Sequence, residues 1–111
     1  MAPLPSRRCA LLTIGGTIIA LVRPARAEPR SHAVLIDKMK FGPMPSEVRV
    51  GDSISWINRD PVRHTATARD KSFDVDLPAS TEGRCTVTRA GPVDIICRFH
   101  PGMTAKLAVL P

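Results

Sequence analysis

The chain has 111 residues, a formal net charge of +6 and 43% hydrophobic residues, which limits it to one small domain and excludes a disordered charged tail. Glycine at 7 and proline at 11 exclude collagen-like repetition. The positive balance invites a polyanion-binding reading, but the placement of the charge removes it.

Residues 1–27 carry Arg7, Arg8, Arg23 and Arg26 and no acidic residue. Between them, Cys9 to Val22 is an uncharged apolar run of 14 residues, closed by Arg23-Pro24. A membrane-spanning helix needs about 20 apolar residues, so the run fits the apolar region of an export signal. Ala25-Arg26-Ala27 supplies the small-residue cleavage pattern. Arg7-Arg8 after Ser6 resembles, in part, a twin-arginine signal, with Ala10 where that signal carries a large apolar residue. The expected organisation is therefore an export signal over 1–27 and one domain over 28–111. The exported chain has no stable membrane span.

Setting those four arginines aside takes the net charge from +6 to +2. The remaining Lys and Arg alternate with Asp and Glu, with no run that would track a phosphate backbone, so nucleic-acid binding is excluded. An 84-residue domain has a limited core. Cys85 and Cys97 lie in an exported chain, where a disulfide is permitted, and a bound metal would also support a domain of this size.

In chain order the domain reads as strands. Ala33 to Met39 alternates, with Val34 and Ile36 on one face. Phe41 to Pro45 is a proline-rich loop, Glu47 to Val50 a short alternating strand, and Gly51-Asp52 a turn. Ser53 to Asn58 places Ile54 and Trp56 inward, and Arg59-Asp60-Pro61 turns the chain again. His64 to Ala68 is extended by its threonines. Residues 69–82, containing Phe73, Leu77 and Pro78, read as irregular or weakly stranded. Arg84 to Thr88 alternates with Cys85 and Val87 together, Ala90-Gly91-Pro92 is a turn, and Val93 to Cys97 places Val93, Ile95 and Cys97 on one face. A loop with Pro101-Gly102 leads to a last strand, Ala105 to Leu110, with Leu107 and Val109 inward. No apolar stripe of helical period runs ten residues. The pattern predicts an all-β sandwich or small barrel. With no glycine-rich phosphate loop and no strand–helix alternation, nucleotide binding has no basis.

One constellation stands out. Cys97, His100 and Met103 bring a thiolate, an imidazole and a thioether within seven residues, just after a strand whose inward face ends in Cys97. His64 opens a strand far upstream. Taken singly, a strand-end Cys is ordinarily a small buried hydrophobe, a nearby Met core filling and a lone His a surface residue. Together, two imidazoles, one thiolate and a weak axial thioether form the ligand set of a type 1 copper site. Zinc on Cys and two His is the rival chemistry, and it would call for a carboxylate or water as the fourth ligand rather than Met103.

Two segments carry a family resemblance. Gly51-Asp52-Ser53-Ile54-Ser55-Trp56-Ile57-Asn58-Arg59-Asp60-Pro61-Val62-Arg63-His64-Thr65 and Ala90-Gly91-Pro92-Val93-Asp94-Ile95-Ile96-Cys97-Arg98-Phe99-His100-Pro101-Gly102-Met103 resemble the two ligand segments of the cupredoxins. The likeness is to the small blue copper proteins of the amicyanin, pseudoazurin and plastocyanin group, and it spans residues 32–111. It implies a cupredoxin-like Greek-key β-sandwich of seven to eight strands, with one copper ion on His64, Cys97, His100 and Met103. It further implies a monomeric periplasmic one-electron carrier, not an enzyme, serving a dehydrogenase or c-type cytochrome partner. The alternative is a periplasmic carrier or resistance protein that hands on copper rather than electrons, but Met39, Met44 and Met103 are too dispersed for a methionine-rich tract. A copper oxidase or nitrite reductase needs a second centre that His32 alone cannot supply.

The resemblance also sets expectations for individual residues. His100 is the expected electron port, within an apolar patch of Pro61, Phe99, Pro101, Gly102, Met44 and Pro45 and a basic rim of Arg59, Arg63, Arg98 and Lys106. Thr65 stands where the group carries Asn, and its hydroxyl is expected to bridge the two ligand loops more weakly. Cys85 is expected as a buried free thiol, with a Cys85–Cys97 disulfide as the rival that would abolish the copper site. His32 is expected at the surface and Met39 in the core, with contact to the site region as the alternative for either, Trp56 in the core, and Asn58 and Asp60 as turn formers.

Overall fold

The computed structural model describes residues 28–111, so the export-signal reading of residues 1–27 lies outside the described residues. Nine strands follow one another: β1 (Ser31–Asp37), β2 (Lys40–Phe41), β3 (Val48–Arg49), β4 (Ser53–Asn58), β5 (His64–Ala68), β6 (Asp74–Leu77), β7 (Glu82–Thr86), β8 (Gly91–Ile96) and β9 (Thr104–Leu110). They form a four-stranded sheet, β2-β1-β4-β7, and a five-stranded sheet, β3-β9-β8-β5-β6. The two sheets make a cupredoxin-like Greek-key sandwich. The count exceeds the expected seven to eight through β2, a two-residue strand that pairs back on the end of β1 where a loop was expected.

Period-two alternation explains why these segments pair as they do. Val34 and Ile36 of β1, Ile54 and Trp56 of β4, Val93 and Ile95 of β8, and Leu107 and Val109 of β9 all point into one core. Trp56 fills its centre, 6.0 Å from the Phe41 ring and 5.9 Å from the Phe73 ring. β5 is buried along its whole length, since it lies between β8 and β6 and faces the other sheet. Its sequence, His-Thr-Ala-Thr-Ala, is small enough to sit there, and its polar groups are satisfied by hydrogen bonds.

Two segments depart from the sequence reading. β6 forms inside the stretch expected to be irregular or weakly stranded, because Val75 and Leu77 alternate inward while Asp74 and Asp76 point out. Its strand character comes from pairing with β5 rather than from the propensity of aspartate. β7 begins two residues earlier than Arg84, which leaves Val87 buried beyond the strand end and Cys85 half-buried.

Turns place the ligand-bearing strands. Gly51, at φ +98°, takes a left-handed turn open to glycine. Beyond it, buried Asp52 accepts the N–H groups of Arg30 and Arg49 and pairs with the His32 ring at 2.9 Å. His32 is thus partnered with a buried carboxylate rather than free at the surface. No helix among the described residues is long and apolar enough to cross a membrane.

Candidate metal centre

The first donor comes from the start of β5. Asn58, at the buried end of β4, accepts the Asp60 N–H through Oδ1 at 2.9 Å. Its Nδ2 lies 2.9, 3.0 and 3.2 Å from the carbonyls of Val62, Leu77 and Pro78. This amide shapes the loop that delivers His64. Asp60 then holds three groups at once: the Lys38 N–H at 2.7 Å, the Met39 N–H at 2.9 Å and His64 Nε2 at 2.7 Å. Burial pushes the Asp60 carboxyl up, but the Met39 N–H, the His64 ring and the Lys38 N–H outweigh it and leave it below the ordinary carboxylate value. An ionised carboxylate only accepts, so His64 Nε2 carries the proton and Nδ1 presents a lone pair to the site.

The other donors lie between β8 and β9. The inward alternation of β8 continues into Cys97, and a tight loop returns the chain. Cys97 N–H donates to the Met103 carbonyl at 3.2 Å, and Met103 N–H donates to the His100 carbonyl at 2.9 Å. His64 Nδ1 lies 3.2 Å from His100 Nδ1 and 3.8 Å from Cys97 Sγ, and Cys97 Sγ lies 3.4 Å from His100 Nδ1. His64 and Cys97 are buried and His100 is half-buried.

This spacing fits one transition-metal ion. Donors at bond lengths of about 2.0–2.3 Å from one ion lie about 3.3–3.8 Å apart between tetrahedral and trigonal-planar angles, close to the 3.2–3.8 Å found here. The donor chemistry agrees, since two imidazole nitrogens and a thiolate form the trigonal set of a type 1 copper site. Among the described residues, the group of His, Cys, Asp and Glu donors here contains His64, Cys97 and His100 and no carboxylate. Asp60 reaches the site only through the outer nitrogen of His64. Met103 is buried at the loop end and lines the same cavity as His100.

The thiol is set up for metal. Burial pushes the Cys97 thiol up, but the His100 ring, the N–H groups of Phe99 and Thr65, and the His64 ring together bring it from 9.0 down to about 6. The Thr65 N–H lies 3.4 Å from the sulfur. The Thr65 hydroxyl accepts the Arg98 N–H at 2.9 Å, so it does link the two ligand loops.

Comparison with known proteins agrees with this arrangement. No protein-family profile matches the chain. Amicyanin of Paracoccus denitrificans is 30% identical over 93 residues, which is 77% of this chain and 71% of that protein. The chain belongs to the amicyanin family of cupredoxins. Solved structures of amicyanin variants superpose on it. One in the reduced state is 31% identical with a TM-score of 0.59, and a Cu(I) form with a methionine exchanged for glutamine is 29% identical with a TM-score of 0.61. Each covers 71% of this chain and 81% of the variant.

Within this amicyanin-family frame Cys85 is a free thiol as expected, and several residues differ in detail from their sequence reading. Cys85 and Cys97 are both free, so no disulfide competes for the thiolate. Cys85 is half-buried and accepts the Trp56 Nε1–H at 3.3 Å, which gives the indole of the core tryptophan its partner. Met39 is 44% exposed rather than core. It stands on a β1–β2 turn whose two tip residues, Lys38 and Met39, both have positive φ, and it lines a cavity of about 290 Å³ with Phe99, His100, Pro101, Gly102 and Met103. Met44, expected in that patch, instead packs against the core. Asp60 was legible only as a turn former. The signal that marks it is an acid four residues before the first histidine donor.

Proposed function

We propose that this protein is a periplasmic one-electron carrier with a type 1 copper centre held by His64, Cys97, His100 and Met103. The observation that carries the reading is the set of three donor atoms at 3.2–3.8 Å on two loops of a rigid sandwich. A copper ion bound there supplies a one-electron couple between Cu(I) and Cu(II). The chain's own part is to keep the donors still. Asp60 fixes the His64 ring, and the N–H of Thr65 steadies the Cys97 sulfur, so the cage changes little as the electron arrives and leaves. As a member of a family of electron carriers, the protein is not an enzyme.

His100, half-buried at the mouth of the site, is the port through which the electron passes. The apolar surface of Met39, Phe99, Pro101 and Gly102 surrounds it and supports weak, short-lived docking. The partners are redox proteins, a dehydrogenase and a c-type cytochrome by family likeness. Burial of His64 and Cys97 favours electron transfer over hand-off of the metal. Residues 1–27 serve as the export signal that delivers the domain to the periplasm.

The test is to load the purified protein with Cu(II) and record its visible and paramagnetic resonance spectra. An intense visible thiolate-to-copper band with narrow copper hyperfine splitting is expected. A folded protein with reduced Cys97 that binds Cu(II) without that band overturns the reading.

A further inference from the structure

Four groups form a continuous chain beside the metal centre. Thr67 Oγ1 lies 2.7 Å from Asp74 Oδ1 and 2.9 Å from Thr65 Oγ1, and Thr65 Oγ1 lies 2.9 Å from the Arg98 N–H. Proton counting fixes the direction. The Asp74 carboxylate only accepts, so the single Thr67 hydroxyl hydrogen goes to it. Thr67 oxygen then accepts from Thr65, and Thr65 oxygen accepts from the Arg98 N–H. Every donor points toward the carboxylate, an arrangement in which each bond polarises the next. Thr65 is fully buried, which excludes water as a replacement partner there, while Thr67 is nearly buried and Asp74 meets solvent.

The two ends of this chain belong to different parts of the fold. Asp74 opens β6, Thr65 and Thr67 are on β5, and Arg98 is the residue after Cys97. The Arg98 guanidinium folds back to the same Asp74 oxygen at 3.2 Å, which closes the network on itself.

We propose that Asp74 and Thr67 are positioning residues for the metal centre, acting through Thr65 to hold the Cys97 loop against β5. A single hydroxyl at Thr65 is a short bridge between the two loops; the carboxylate at the far end strengthens it. The proposal rests on the copper-carrier reading for its consequence, but the relay itself is a property of the metal-free fold.

The experiment compares wild type, Thr67→Val and Thr67→Ser. Thr67→Val keeps the volume and the Arg98–Asp74 ion pair and removes the relay. In metal-free protein, hydrogen exchange of the Arg98 amide is expected to speed up about fivefold, the worth of one net hydrogen bond. In copper-loaded protein, release of Cu(I) to a chelator is expected to speed up by a similar factor. Thr67→Ser, which keeps the hydroxyl, restores both. Unchanged Arg98 exchange in folded Thr67→Val, or failure of Thr67→Ser to differ from it, overturns the proposal. If Thr67→Val does not fold, Thr67→Ala, which also keeps the Arg98–Asp74 ion pair, takes its place. Faster Arg98 exchange in that variant supports the relay, and unchanged exchange overturns it. A wild-type chain that takes up no copper overturns the proposed function instead, while the exchange comparison decides the relay without metal.

Discussion

Two residues carry the chemistry of the site in ways that single substitutions reveal. Asp60 satisfies two backbone N–H groups and the outer nitrogen of His64. Asp60→Ala leaves all three without an acceptor in a buried corner. A loss of about 2–4 kcal/mol of stability is expected by chemical unfolding, with copper affinity reduced about 10–100-fold because His64 loses its orientation. Cys97 gives a pH signature in metal-free protein. Its folded value is depressed to about 6 against an ordinary 9.0. A depressed acid contributes stability that is fully present above the unfolded value and is lost as pH falls through the folded one. Metal-free wild type is therefore expected to lose stability between pH 9 and pH 6, a dependence that Cys97→Ser removes. Thiolate absorbance should rise with a midpoint near 6 from Cys97, while Cys85, whose thiol burial pushes up despite the Trp56 hydrogen bond, titrates only above the ordinary range.

Strand packing decides which small residues are indispensable. Gly83 of β7 pairs with Trp56 across the sheet and faces β6 of the opposite one. A Cβ at this position would sit 2.5 Å from Val75 Cγ1 and 3.1 Å from Leu77 Cδ2. Val75 is a stiff branched side chain on a paired strand, so it cannot swing aside. Gly83→Ala is expected to cost about 1–3 kcal/mol by overpacking, read as a lower urea midpoint with an unchanged slope. Gly102→Ala, where a new Cβ meets open space, is the comparison that separates this contact from a general glycine effect.

At the scale of the whole molecule, three of the four basic residues expected on the rim of the site are tied up in local ion pairs. The rim residues that a sequence reading assigns to partner steering are largely neutralised. Arg63 pairs with Asp76 at 2.7 Å, Arg98 with Asp74 at 3.2 Å and Lys106 with Asp94 at 3.3 Å. An apolar patch around His100 with paired charges beside it gives contact without long-range attraction. Strong steering changes association rates by about 10–1000-fold. The rate of electron exchange with a c-type cytochrome is expected to vary by less than about tenfold between low and physiological salt, measured by stopped-flow mixing.

The order and spacing of His64, Cys97, His100 and Met103, the inward faces of β1, β4, β8 and β9, and the all-β class were all legible in the sequence. Most are local properties: a period of two along a strand, and Cys97, His100 and Met103 at short separation on one loop, whereas His64 on the other loop was marked by its place in the upstream family-like segment. Tertiary structure decided the rest. Alternation shows which face a residue occupies but not what stands opposite. For that reason the bounds of β6 emerged only through its pairing with β5, and the partner of Cys85 only through its approach to the Trp56 indole N–H. The same limit hid the hold of Asp60 on His64 and the run from Arg98 through two threonines to Asp74. Each joins segments whose approach is fixed by the packing of two sheets, a distance that no spacing along the chain encodes.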